Sequence, residues 1–254
     1  MPPGNQRDPI AAQASRAKAR GRAASGVNRP GASKRGPYAP SQTRELLLSS
    51  AVERFGRQGF HATSVQQIVD GAGLTKGAFY HHFEDKPAVF RAVLEAESQQ
   101  LVAAAMSQRS GADPLSQFKS ACFSYLRACL DPGVQRIVLH DGPAVLGWRT
   151  WREIDWRFGL AALEGGLSNL MAAGVLRRRP TRTLAHLLFG ALCESALVIS
   201  RAARPRRAYQ QVRGELEVLF TALLTQPAPG AAPRTTAAAP SRPARARSRR
   251  PAAP

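Results

Sequence analysis

The side chains of this 254-residue chain that are best suited to chemistry gather between residues 63 and 86. Thr63, Ser64, Thr75 and Tyr80 bring hydroxyls, Lys76 and Lys86 bring ammonium groups, and His81 brings an imidazole. Gly77 and Ala78 stand among them and leave room for close approach. Hydroxyls and backbone N–H groups at helix starts suit phosphates, and ammonium groups neutralise them. The chemistry on offer is adhesion to a polyanion rather than bond making. No acid–base or nucleophile set accompanies these residues. Asp85, Asp113 and Asp131 all stand at helix boundaries, and the chain lacks a phosphate-binding glycine loop, a nucleophile elbow and an HExxH motif. No catalytic residue is expected, and the chain does not read as an enzyme.

Metal chemistry is not expected either. His81 and His82 are neighbours on a helix and point about 100° apart, so they do not chelate together. Cys122, Cys129 and Cys193 are odd in number and match no zinc spacing. They fit a reduced, cytoplasmic protein. Cys122 and Cys129 share a helical face, where burial accounts for them and a thiol sensor is the alternative.

Two short helices must present the polar set. Thr63-Ser64-Val65-Gln66 reads as a capping box, with the Thr63 hydroxyl accepting from the N–H of Gln66 and Gln66 reaching back. That helix ends at Gly71-Ala72-Gly73, and a second is capped by Thr75 and runs to about His82. Their length and tight glycine turn are those of a helix-turn-helix. Val65, Ile68, Val69, Leu74, Phe79 and Phe83 would close a small core beneath. A helix over 42–58, with Leu48, Val52 and Phe55 on one face and a stop at Gly59, precedes the pair. Helices over 86–110, 114–130, 148–173, 183–203 and 206–225 follow, with a short helix or turn at 134–139. No stretch sustains period-2 alternation, so the fold class is all-α: a three-helix module, then a helical bundle.

Charge divides the chain further. The net charge is +19, of which residues 1–40 carry +7 and residues 226–254 carry +6. Both tails are rich in Ala, Pro, Gly, Ser and Arg, lack the apolar area to offset chain entropy, and read as disordered. The organisation is a basic tail (1–40), a helix-turn-helix domain (41–95), a helical domain (96–225) and an Ala/Pro/Arg-rich tail (226–254). Residues 41–105 hold six basic and seven acidic residues, so phosphate affinity rests on placement or on the tails. The tails also admit a simpler account, as solubility-promoting products of a G+C-rich coding sequence. No apolar leader opens the chain. The apolar stretch 183–200 contains His186 and Glu194 and falls short of the roughly 20 residues of a span. A buried interface helix is expected there, with no membrane partner.

The segment TSVQQIVDGAGLTKGAFYHHFEDKPAVFRAVL resembles the DNA-binding domain of the TetR family of bacterial transcriptional regulators. The resemblance covers about residues 41–95 and is carried by TKGAFYHHF and the EDKPAVF after it. HDGPAVLGWRTWREID and LAHLLFGALCESALVIS resemble the C-terminal domain of one subgroup. The resemblance implies a regulator, most often a repressor, acting on double-stranded DNA as a homodimer at a palindromic operator in the cytoplasm. Carried over residue by residue, it puts Thr63, Ser64, Thr75, Tyr80 and Lys86 on phosphates and Lys76, Gly77 and Ala78 in the major groove. His81 would approach the backbone or a base edge. Ala78 departs from the polar residue common there and offers only a methyl contact to thymine.

No cofactor is implied, but a small-molecule effector is. Met106, Phe118, Phe123, Tyr125, Trp148, Trp151 and Phe158 are the candidates for an effector pocket between helices, with core packing as the other account. Leu184, Leu188, Ala191, Leu192 and Leu197 are the candidates for the dimer contact, because apolar residues there cover most of one helix. Arg149/Glu153 and Glu153/Arg157 read as solvated i,i+4 pairs. Two rival functions stay open. One is a sequence-independent, nucleoid-type DNA binder using its tails, separable by the salt dependence of operator and random DNA binding. The other is a helical enzyme with a vestigial helix-turn-helix.

Overall fold

The computed structural model describes residues 39–224. Apart from residues 39 and 40, the two tails expected to be disordered lie outside these residues. Helix α1 is Pro40–Ala62, α2 Val65–Ala72, α3 Lys76–His82, α4 Lys86–Ser107 and α5 Pro114–Ala128. A single turn, α6 (Pro132–Val134), leads into a π-helical segment, Gln135–Asp141, where a short helix or turn was expected. Then come α7 (Gly142–Ala172), α8 (Thr181–Arg201) and α9 (Pro205–Leu224). No strand occurs among the described residues, in keeping with the all-α expectation.

Local sequence explains where the helices begin. Ser64, Thr75, Asp85 and Asp113 each accept a hydrogen bond from the N–H three residues on, satisfying one of the open donors of the first turn. Pro87 and Pro114 sit in first turns, where the missing N–H costs nothing. The capping box of α2 stands one residue later than expected. Ser64 Oγ accepts from Gln67 N (3.2 Å) and Gln67 Oε1 accepts from Ser64 N (2.8 Å). Thr63 cannot cap because it is turned inward, 1% exposed.

Helix α1 is broken at Gly59, whose φ of 84° and ψ of 170° lie outside the helical region and suit only glycine. The break swings Phe60 into the core, where its ring meets Phe55 and Phe90 at 5.8 and 5.1 Å between centroids. Phe90 also meets Phe55 edge-on at 5.1 Å. Ile68, Val69, Phe79 and Phe83 are buried in the same core, and Val65 and Leu74 pack against it, as the apolar spacing foretold.

Helix α4 has 22 residues, about 33 Å at 1.5 Å per residue. Its first half buries Val89, Phe90, Val93 and Leu94 under the helix-turn-helix, and its second half buries Leu101 and Ala105 in the bundle. The expected boundary at residues 95/96 falls inside this unbroken helix. The bundle packs α4 and α8 against α7, with α5 and α9 beside them. Phe220 of α9 meets Phe118 and Phe123 of α5 at 6.0 and 6.1 Å. Helix α8 has 21 residues and is long and apolar enough to cross a membrane by length and composition alone. Leu184, Ala185, Leu188, Phe189, Leu192, Cys193, Ala196 and Ile199 are buried within the chain's own core.

Gly71 lets α2 lie close on α1: a Cβ there would stand 2.4 Å from Ser50 Oγ, which donates to Ile68 O at 2.8 Å. Gly71→Ala should therefore lower stability by about 1–3 kcal/mol, the usual cost of overpacking. In urea denaturation the Ser50→Ala/Gly71→Ala double variant should be close to Ser50→Ala alone. Additive losses would show that the two positions are not in contact.

Candidate functional site

Helices α2 and α3 are joined by Gly73-Leu74-Thr75. Gly73 adopts a left-handed conformation (φ 66°, ψ 33°), and Leu74 N donates to Val69 O at 2.9 Å. Phe79 turns inward and so fixes the rotation of α3. The opposite face carries Thr75, Lys76, Gly77, Tyr80 and His81, all exposed, with Ala78 half-buried at its edge. Tyr80 is 57% exposed although aromatic. Ser64 is exposed at the start of α2. His82, beside His81, is half-buried. Burial, then repulsion from His81 and Arg44, hold its imidazole below the usual range.

Two expected phosphate ligands are not on that face. Thr63 donates its hydroxyl to Gly59 O at 2.7 Å, and its N–H goes to Phe60 O at 3.2 Å. Both donors are consumed inside the chain, so the expected phosphate contact is withdrawn. Lys86 is half-buried. Its Nζ donates to Phe60 O and Thr63 O, both at 2.9 Å, and lies 4.2 Å from the centre of the Phe60 ring. Its charge serves to hold the end of α1, because carbonyls freed by the Gly59 break need a donor. Asp141 and Arg136 complete that junction from the π segment. Asp141 Oδ2 accepts from Phe60 N at 2.7 Å, and Arg136 donates to Gly56 O and Arg57 O. The sequence gave no sign of these two residues, since their partners lie 79 to 81 positions away.

A cavity runs between α4, α5, α7 and α8, enclosing about 910 Å³ of space between atoms, part of it open to solvent. Of the expected lining residues, Met106, Phe118 and Tyr125 face it. Four others do not. Phe123 packs on Phe220, Trp148 is exposed, Phe158 is half-buried against the core, and Trp151 is buried with Nε1 donating to Val138 O at 2.7 Å. Gly159 and Gly166 shape the wall, since Cβ atoms there would collide with Phe189 and Phe118. Sequence reading missed Ser98, Asp155 and Cys193. Asp155 carried a readable signal, an acid on an otherwise apolar helix face. Cys193 Sγ donates to Asp155 Oδ2 at 3.4 Å. Burial drives the Asp155 carboxyl up to about 6, against the lowering effects of Cys193 and Arg152. Burial likewise pushes the Cys122 and Cys129 thiols up to about 12 and Cys193 higher still. Thiols held protonated are poor nucleophiles, which fits the packing role rather than a sensor.

The expected contact residues on α8 divide. Leu184, Leu188 and Leu192 are buried in the chain's own core, whereas Ala191 and Leu197 are half-buried. The apolar residues that α8 and α9 present outward are Leu187, Val198, Val218 and Leu219. The expected Arg149/Glu153 pair is formed at 3.1 Å, but Arg157 reaches Glu95 of α4 (3.5 Å) instead of Glu153.

Residues 47–93 match the pattern of bacterial regulatory proteins of the tetR family, and residues 115–223 match the tetracyclin repressor-like C-terminal domain. A solved TetR-family transcriptional regulator from Pectobacterium atrosepticum is 31% identical, with 76% of this chain and all of that chain covered at a TM-score of 0.66. The chain belongs to the TetR family. The Tn10 TetC protein of Escherichia coli is 26% identical over 58% of this chain and 75% of its own length. The transcriptional regulator AcrR of Shigella flexneri is 24% identical over 66% and 74%. As a TetR-family protein it is a DNA-binding transcriptional regulator with α2 and α3 as its helix-turn-helix.

The raised Asp155 carboxyl has a consequence for stability. Between the usual 3.8 and about 6 the native chain holds a proton that the unfolded chain releases. Stability therefore falls as pH rises through that window and is level with respect to Asp155 above it. The sum is on the order of 3 kcal/mol at neutral pH. Asp155→Asn should unfold at a higher temperature than the parent at pH 7 and at a similar one near pH 4. A constant difference in melting temperature across that range would refute the buried ionisation.

Proposed function

We propose that this TetR-family regulator is a repressor that binds a palindromic operator as a homodimer and releases it when a small molecule enters the cavity. The exposed face of α3 carries the reading. Lys76, Gly77 and Ala78 enter the major groove, His81 approaches the backbone or a base edge, and Ser64, Thr75 and Tyr80 bind phosphates. These side chains are small, hydroxylic or cationic, and they stand on a helix whose rotation Phe79 fixes. Thr75 and the N–H groups behind it point a helix start outward, where anions are favoured. Half-sites are spaced by one helical turn of DNA, about 34–36 Å, or a multiple of it. The protein works in the cytoplasm and performs no catalysis.

The dimer contact uses the outer faces of α8 and α9. Leu187 and Val218 are each 67% exposed in the single chain, and Val198 and Leu219 add to the same two helices. Exposed apolar groups of this size on neighbouring helices call for a partner surface, and a second copy supplies the same patch around a two-fold axis. A relative named as an operon repressor, the probable acrEF/envCD repressor of Escherichia coli, supports the sign of regulation. The cavity between four helices supports the effector.

Operator binding by purified variants tests the reading. Footprinting on the protein's own upstream region should show a symmetric site. Lys76→Ala should weaken binding and lower the slope of log K against log salt by about 0.9, the release expected for one phosphate contact. Leu187→Arg should give a folded monomer that no longer protects the site, since the side chain is solvent-facing within the chain. A sequence-independent footprint, or a Leu187→Arg protein that stays dimeric, would overturn the corresponding part.

A further inference from the structure

The polar groups of the cavity are few and unequally placed. Ser98 is buried, lines the cavity, and its hydroxyl has no hydrogen-bond partner. Asp155 is 8% exposed and lines the same space. Its one side-chain hydrogen bond comes from a thiol, a weak donor. No ion pair engages it among the described residues. The nearest helical cation on its own element, Arg152, rests its guanidinium 5.2 to 5.9 Å from the ring centres of Trp148, Trp151, Trp156 and Phe189 instead.

Arg109 is the other charged residue on the wall. It stands eleven positions from Ser98 along α4, roughly 16 Å at 1.5 Å per residue. Helix α7 follows the same course. Its Arg157 meets Glu95 just before Ser98, and its Asn169 lines the far end with Arg109. Between the two ends the wall is Leu101, Ala105, Phe118, Leu163 and Phe189. The space is an apolar slot with a lone buried carboxylate and an orphan hydroxyl at one end.

A buried carboxylate without a cation is costly, and the cost ends when a cation with hydrogen-bond donors arrives. An apolar group against Asp155 would leave that cost in place, and an anion would raise it. We propose that the cavity takes an elongated, apolar primary amine in its protonated form. The ammonium donates to Asp155 and Ser98, and the hydrocarbon lies along α4 toward Arg109. The rings of Phe189 and Tyr125 near that end add cation–π attraction. This names the chemical class of the effector and rests on the effector reading above.

Three amphiphiles of one chain length separate the cases: decylamine, 1-decanol and decanoate, each below its micelle concentration, titrated calorimetrically into the full-length protein without DNA. Decylamine should bind at one site per chain, at least tenfold tighter than 1-decanol, with decanoate weakest. The chain's net charge of +19 favours decanoate over decylamine in any non-specific association, so bulk charge cannot produce that order. Asp155→Asn should bring decylamine to within about threefold of 1-decanol while leaving 1-decanol binding intact. Ser98→Ala should weaken decylamine severalfold and spare 1-decanol. Equal binding of amine and alcohol by the parent protein, a preference for decanoate, no binding by any of the three, or an amine preference that survives Asp155→Asn would each overturn the proposal. The parent comparison needs no variant to fold. Operator affinity is then measured with decylamine present. Tight decylamine binding with unchanged operator affinity supports the ligand class and overturns only the effector-coupled release.

Discussion

The break in α1 at Gly59 is the constraint on which the rest of the architecture depends. It turns Phe60 into the core of the helix-turn-helix and leaves backbone groups at Gly56, Arg57, Phe60 and Thr63 without helical partners. Buried groups of this kind each cost on the order of 1–3 kcal/mol if left unpaired. Here they are met by Lys86, Asp141 and Arg136. Lys86 opens α4, and the other two belong to the π segment. The end of one helix thus requires two other elements to be in place, and the DNA-binding module is seated on the bundle by charge-assisted hydrogen bonds.

The same segment faces the other way as well. Ile137, Val138 and Leu139 are buried, and the Val138 carbonyl receives the Trp151 indole N–H. Trp151 lies one helical turn before Asp155. A continuous set of contacts therefore leads from the cavity wall, through Trp151 and the π segment, to the end of α1. The π-helical winding leaves each hydrogen bond one residue longer than in an α-helix, a geometry that recurs at functional sites. Helix α4 forms a second physical link, since its first half closes the helix-turn-helix core and its second half lines the cavity.

The charge distribution of the DNA-binding module gains a physical account from these contacts. Its six basic residues are outnumbered by seven acids, and one of the six, Lys86, is turned to the protein interior. Lys76 is left as the cation of α3, accompanied by exposed hydroxyls and a helix start. Adhesion there depends on the placement of a few groups rather than on a broad positive field.

The sequence by itself determined the helices, their caps and the helix-turn-helix, because these follow from signals a few residues apart. Thr75, Asp85 and Asp113 announce helix starts, Gly59 and Gly73 announce breaks, and the spacing of Ile68, Val69, Phe79 and Phe83 announces a core. The exposed set Thr75, Lys76, Gly77, Tyr80 and His81 was legible for the same reason: a short helix with one apolar face leaves the other to solvent. Only the tertiary structure decided which of several apolar faces on α7 and α8 is inside. Leu184, Leu188 and Leu192 went to the chain's own core and Leu187 and Val198 to the outside. Trp148 and Trp151 left the cavity to Phe118, Tyr125 and Phe189. Thr63 and Lys86, hydrophilic by type, were drawn inward by carbonyls that the Gly59 break exposed. Helices apolar on more than one side carry no sequence mark of which side meets which neighbour. A polar residue carries none of whether water, phosphate or a distant backbone group will satisfy it. Those choices are made by partners dozens of positions away, which pack only when the whole bundle closes.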